Sequence, residues 1–231
     1  MVTAYVDDLR RAVSLSRLDK YRTPGGSDVK MAVNDFWNIA LSEALYPGLA
    51  ALEVSLRNSI HNAISSDRGT DLWYYEPALL EPQQLREFSN ARFSLFRAHG
   101  NHPEIGRIVA ELTFGFSVTL LSRNYQHTLW NPNNASLLRA VVPHFSGPAF
   151  QRQRIHETCN ELRKLRNRVF HHEPVWNRAT LMQDHQNIHA AIGWISPSVL
   201  GTMQSVDRFA DVYANGKARI EASLKAHIGI P

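Results

Sequence analysis

Leu49-Ala50-Ala51-Leu52-Glu53-Val54-Ser55-Leu56-Arg57-Asn58-Ser59-Ile60-His61-Asn62-Ala63-Ile64 returns to an apolar residue at steps of three and four, through Leu49, Leu52, Leu56, Ile60 and Ile64. That spacing paints one face of an α-helix and neither face of a β-strand. The same period recurs outward in both directions. Pro47 precedes the stretch, in a position that suits a first helical turn, so a separate helix is expected over 28–45. Val6, Leu9, Val13 and Leu18 mark a short first helix, closed by the breaker cluster Thr23-Pro24-Gly25-Gly26-Ser27. Downstream, residues 82–98, 105–130, 148–170, 180–194 and 197–226 carry helical patterns, with Gly106 and Gly115 weakening the second of these. Leu72-Trp73-Tyr74-Tyr75 is an aromatic loop expected to plug the core, and Asn131-Pro132-Asn133-Asn134 reads as a turn. No run alternates apolar and polar residues as a strand would. The expected fold is all-α, a helical bundle of roughly seven to nine helices forming one domain over residues 1–231.

Composition narrows the class without naming an activity. With 231 residues, 44% of them apolar, the chain is long enough for a substantial core and too apolar for disorder. The net charge of +4 is compatible with an anionic partner such as RNA. One cysteine, Cys159, excludes an internal disulfide; its place in an apolar helical period marks it as core rather than nucleophile. The start, Met1-Val2-Thr3-Ala4-Tyr5-Val6-Asp7-Asp8, lacks the basic and apolar regions of a signal peptide. The apolar run from Ile108 to Leu121 is too short to span a bilayer, so a cytoplasmic protein with no membrane partner is expected.

The chemistry concentrates in Leu162-Arg163-Lys164-Leu165-Arg166-Asn167-Arg168-Val169-Phe170-His171-His172-Glu173-Pro174, at the end of a long helix. A permanent guanidinium beside imidazoles that titrate near neutrality suits phosphodiester cleavage. RNA brings its own nucleophile, the ribose 2′-hydroxyl. A base for that hydroxyl and a cation for the developing phosphorane charge then suffice, with neither metal nor cofactor. Asn167 and His171, four apart, are helical neighbours, so Asn167 is placed to orient the imidazole. Arg166 and His171 lie about 140° apart around a regular helix. Loosening of the last turn before Pro174 would let the histidines swing toward the arginine. The plainer reading is a helix terminus, because Arg, Asn and His are all favoured beside free carbonyls and the negative end of the helix dipole.

The stretch Leu165 to Pro174 resembles the signature of HEPN domains, an arginine followed after four to six residues by histidine. Its Arg-Asn run ending in His-His-Glu-Pro resembles more specifically the Abi-like (abortive infection) proteins of bacteria. Two further blocks fit the same family in the same order. They are Trp37-Asn38 with Leu41 to Leu49 leading into Leu52 to Asn58, and Ile108 to Phe116 followed by Leu120-Leu121. The resemblance spans residues 30–180 and departs from the family at Ser117, where a bulky aromatic is expected. It implies an all-helical, HEPN-like fold and an endoribonuclease that acts as a homodimer with a shared active site, serving as a toxin in phage defence. It places Arg166 and His171 in the two signature positions, with Asn167 and His172 in support. His172 also satisfies the spacing, so the choice of imidazole stays open, with His171 favoured. No residue identifies the RNA target, an antitoxin or a phage-derived trigger. The alternative from another class is a non-catalytic helical module, binding RNA or protein, that keeps the motif as a structural helix cap.

Further polar residues could line such a cleft. Glu53, Arg57 and His61 repeat by fours on one helix face beside Asn58, and the order of Glu53 before Arg57 favours an ion pair. That stripe reads equally as a helix stabilising itself. Arg163 and Arg168 flank the motif as candidate RNA contacts. His185 and His189 have a metal-compatible spacing but no acidic residue between them and no evident third ligand, so no metal is expected. His99 and His102 flank a turn and are expected to be exposed.

Overall fold

The computed structural model describes residues 2–100, 102–131, 135–146 and 152–230. Among these the fold is all-α, with no strand. The expected turn at 132–134 and the expected helical start at 148–151 lie outside the described residues. The chain divides into two compact units, each discontinuous in sequence.

The first unit comprises residues 1–48, 165–185 and 204–231. It opens with α1 (Val2–Val13) and the single turn α2 (Leu15–Leu18). The first helix expected through Leu18 is broken at Ser14, whose φ of 71° is left-handed and cannot continue a right-handed helix. Leu18, Tyr21 and Met31 form one buried cluster, joined by Leu9, Val13 and Trp176. Ala32, Val33, Leu224 and Ile228 form another, against Tyr5, Leu9, Val29 and Ile220.

The separate helices expected on either side of Pro47 are one helix, α3 (Asp28–Arg68), of 41 residues. A proline inside a helix forfeits one hydrogen bond and crowds the preceding turn. Burial outweighs that cost here. Leu41 and Leu45 before Pro47, and Leu49, Leu52 and Leu56 after it, are all at most 1% exposed. Each such leucine contributes about 1.5–3 kcal/mol on burial, so the five together outweigh several times over the roughly 3 kcal/mol of an internal proline. The division between units falls immediately after Pro47, at Gly48. Taken whole, α3 contains an 18-residue window of mean hydropathy 1.3, long and apolar enough to cross a membrane by length and composition alone, with 39% of that window buried in the protein. Reading separate helices on either side of Pro47 hides this window, so Ile108 to Leu121 is not the only stretch to weigh against a membrane span.

The second unit comprises residues 49–164 and 186–203. It holds α4 (Pro82–His99), α5 (Ile105–Glu111), α6 (Phe114–Leu120), α7 (Ala135–Val141) and α10 (Pro197–Gln204, through Met203), with parts of α3, α8 (Arg152–Phe170) and α9 (Leu181–Ile195). The helix expected over 105–130 is split at Thr113, whose hydroxyl accepts the Phe116 N–H at 3.0 Å and so starts α6 as its N-cap, and it stops at Leu120, short of the expected end. The aromatic plug forms as expected: Trp73 and Tyr74 are buried, and Tyr74 stacks on Phe88 with ring centroids 4.8 Å apart. Leu72 and Tyr75, in contrast, are exposed, so only the two middle residues of the expected plug enter the core. Cys159 is buried and its thiol is pushed up to about 12 by burial, so it is core, not nucleophile.

The last expected helix, 197–226, is interrupted after Gln204. Asp207 accepts the Phe209 N–H at 2.9 Å, and α11 (Phe209–Asp211), a π-helical turn over Val212–Gly216 and α12 (Lys217–Ile228) come next.

Candidate functional site

The motif sits at the C-terminus of α8, where Leu165 and Val169 are buried in the first unit. The last turn does not loosen. The His171 N–H donates to the Asn167 carbonyl at 2.9 Å, so α8 remains regular through the first histidine. Asn167 and His171 therefore stay one turn apart, while Arg166 and His171 keep the roughly 140° separation of a regular helix. The swing of the histidines toward Arg166 is not observed.

Termination happens at His172. Its φ is +55°, its N–H donates to the Val169 carbonyl at 3.2 Å, and the Glu173 N–H reaches back to the Arg168 carbonyl at 2.8 Å. These are the paired bonds of a Schellman C-cap, with His172 at the left-handed position usually held by glycine. A side chain there costs on the order of 1 kcal/mol, and such strain is characteristic of functional segments. Where an apolar contact usually seals this cap, charge does so: Arg168 lies 4.0 Å from Glu173 and donates to the Pro174 carbonyl at 3.1 Å. Arg168 thus holds the turn in shape.

Two residues distant in sequence, Arg17 and Asn38, anchor the chain from the cap to Trp176. Arg17 donates to the His172 carbonyl at 3.3 Å and lies 3.7 Å from Asp35. Burial raises the Asp35 carboxyl above its ordinary range, and the Arg17 charge opposes that rise. The Asn38 side chain, buried within α3, accepts the Val175 and Trp176 N–H groups at 2.6 and 3.1 Å and donates to the Tyr21 hydroxyl at 3.3 Å. The Arg166 guanidinium carbon lies 4.0 Å from the centroid of the Phe170 ring, and Phe170 stacks on Tyr46 at 5.6 Å. Arg166 and Asn167 are half-buried; His171 and His172 are exposed.

Beside this terminus lies a cavity of about 590 Å³ whose lining includes Arg17, Glu43, Tyr46, Phe170, His172 and Arg208. His172 is in its wall; Arg166, Asn167 and His171 are not among its lining residues. Arg17, Glu43 and Arg208 carry no local sequence signal of this cavity. Arg17 meets His172 across 155 residues and Arg208 meets Glu43 across 165, separations at which no local spacing signals contact.

Glu53, Arg57, Asn58, His61 and Arg163 belong to the second unit. Glu53 accepts the Phe114 N–H at 3.1 Å, and Arg57 donates to the Ala110 carbonyl at 2.8 Å, bracing the ends of α5 and α6. His61 stacks on Tyr74 and lies 3.3 Å from its hydroxyl; burial lowers its pKa and favours the neutral ring. Asn58 is exposed, and Arg163 makes two bonds to Asn160, at 2.9 and 3.1 Å. Glu53, Arg57, His61 and Arg163 thus have structural contacts within their own unit. His185 lies 2.8 Å from Asp207, an acidic partner 22 residues away that the spacing of His185 and His189 does not disclose. His99 and His102 are exposed, as expected. In comparison with protein-family models, with curated proteins and with solved structures, the chain matches none.

Proposed function

We propose that this chain is a metal-independent endoribonuclease of the HEPN type, similar to Abi-like proteins, cutting single-stranded RNA by transfer from the 2′-oxygen. The observation that carries the reading is the Arg166-Asn167…His171-His172 motif at a strained helix terminus, with the second imidazole in the wall of a ligand-sized cavity. His171 takes the proton from the 2′-hydroxyl, Asn167 one turn earlier orients its ring, and Arg166 counters the charge that develops on the phosphorane. The products carry 2′,3′-cyclic phosphate and 5′-hydroxyl ends. A role as a toxin in phage defence follows from the family resemblance.

The test is cleavage of single-stranded RNA in EDTA. Arg166→Ala should slow it by roughly 10²–10³-fold, the loss expected when a donor to a developing oxyanion is removed. If the folded variant cuts at the wild-type rate, Arg166 is a helix-end residue and the non-catalytic reading takes over.

The regular last turn gives a physical reason for a dimer. Arg166 and His171 of one chain diverge around the helix. Transphosphorylation also needs a group to protonate the departing 5′-oxygen. A two-fold pairing would set Arg166, Asn167, His171 and His172 of both chains along one groove, supplying both needs. Co-expression of Arg166→Ala chains with His171→Ala chains should then recover part of the cleavage that each lacks alone. A strictly monomeric wild type by sedimentation would rule out the shared site.

A further inference from the structure

The cavity beside His172 has a composition that the cleavage chemistry does not use. Its volume of about 590 Å³ lies within the usual range of small-ligand sites. Phe170 is flanked by the Tyr46 ring at 5.6 Å and 27° and by the Arg166 guanidinium at 4.0 Å. Tyr46 is 54% exposed and lines the cavity, which puts an accessible aromatic ring in the wall. Stacked aromatics beside arginines are how proteins hold the bases of a single strand.

The polar part of the wall is more selective. Glu43, on α3 just under one turn before Tyr46, receives one hydrogen bond from Arg208, Nη2 to Oε1 at 2.6 Å. Both side chains are about two-thirds exposed (67% and 66%). A carboxylate has about four acceptor sites and a guanidinium five donors, so one bond between them leaves each with capacity for a ligand. An acceptor pair beside a cationic donor complements guanine, which presents N1–H and N2–H2 next to O6. Adenine offers one exocyclic amine there, and the pyrimidines offer less surface for stacking. Arg17, which also holds the His172 carbonyl, adds positive charge for the flanking phosphates.

We propose that this cavity seats a guanine base of the bound strand, stacked on Tyr46, with its N1–H and N2–H2 edge on Glu43 and its O6 toward Arg208. The proposal rests on RNA being the substrate and gives the cleavage site a sequence preference. The base recognised would lie next to the scissile phosphate, because His172 borders the cavity and follows His171 directly.

Binding is measured apart from cleavage by using fluorescein-labelled, 2′-O-methylated nonamers, which lack the nucleophile. The probes are a single guanine in oligouridine, a single adenine in oligouridine, and oligouridine alone, read by anisotropy in EDTA. Wild type should bind the guanine probe about tenfold more tightly than oligouridine. Tyr46→Ala should weaken that probe by roughly 10–100-fold, and Tyr46→Phe should retain it. Glu43→Gln should level guanine with adenine. Equal affinity for all probes, or unchanged binding by a folded Tyr46→Ala, overturns the pocket. So does a Tyr46→Ala variant that becomes monomeric by sedimentation while keeping its guanine preference, which would show the cavity covered by a second copy. Displacement of the guanine probe by equimolar guanosine monophosphate would assign the cavity to a free nucleotide and overturn the strand assignment. Guanine-selective binding by a protein that cuts no unmodified RNA sinks the ribonuclease reading and keeps the pocket. Cleavage without base selectivity does the reverse.

Discussion

His171→Ala should lower RNA cleavage by roughly 10²–10⁴-fold, the contribution of a positioned general base, whereas His172→Gly should lower it far less. The two histidines are adjacent but stand in different backbone conformations. His171 completes the last regular turn, its N–H on the Asn167 carbonyl, which keeps its side chain one turn above Asn167. His172 is the left-handed residue at which the chain turns out of α8. Glycine is the informative substitution there, because it adopts that conformation without strain and leaves both C-cap bonds in place. His172→Gly should therefore raise stability by about 1 kcal/mol while removing an imidazole from the cavity wall. Alanine at 172 would confuse lost chemistry with retained strain. The measurement is initial cleavage rate in EDTA, with a thermal melt on the same samples. The opposite ranking, with His172→Gly nearly inactive and His171→Ala nearly wild type, would move the proton transfer to the residue in the cavity wall.

The parts of this arrangement that could be read from sequence are those set by local period. Ile155, Cys159, Leu162, Leu165 and Val169 succeed one another at steps of three and four, and each is buried in α8. The motif reads as a helix end because Pro174 limits continuation and polar residues crowd the last turn, and the chain turns out at His172, two residues earlier. Local rules fail where distant burial decides. Pro47 reads as a boundary, yet the leucines on both sides are sequestered and the helix runs through it. At 112–113 the apolar period runs on without a gap, but the Thr113 hydroxyl offers the Phe116 N–H a cap and a new helix begins. Gly106 and Gly115, the glycines nearby, both sit inside helices and mark no break. The site divides along the same line. Arg166 through Glu173 are contiguous and legible, whereas the cavity next to them is assembled from α2, α3, the end of α8 and Arg208. Only the fold brings Arg17 and Arg208 to it.

Asn38→Ala should cost about 2–5 kcal/mol of unfolding free energy, the largest stability loss expected from a polar substitution in the first unit, since each buried donor left without an acceptor costs about 1–3 kcal/mol. One side-chain oxygen accepts two backbone N–H groups, those of Val175 and Trp176, and the amide nitrogen reaches the Tyr21 hydroxyl. Asn38 is 2% exposed and Val175 is fully buried, so solvent cannot replace the bond that the Val175 N–H loses, while Trp176 is half-buried. Asn34 provides the comparison within the same helix. It is buried to the same degree but makes a single bond, to the Tyr21 carbonyl at 2.9 Å, so Asn34→Ala should cost nearer about 1 kcal/mol. Urea unfolding of the two variants, at equal protein concentration, reads the difference directly. Equal losses would mean that the Val175–Trp176 segment does not depend on Asn38. The consequence reaches the motif, because that segment lies just beyond the C-cap. Released from α3, the turn from His171 to Glu173 would keep its own C-cap bonds and those of Arg17 and Arg168, both bonding from partly exposed positions. Cleavage by Asn38→Ala should accordingly fall even at temperatures where the variant remains folded, and the fall should be steeper on warming than in wild type.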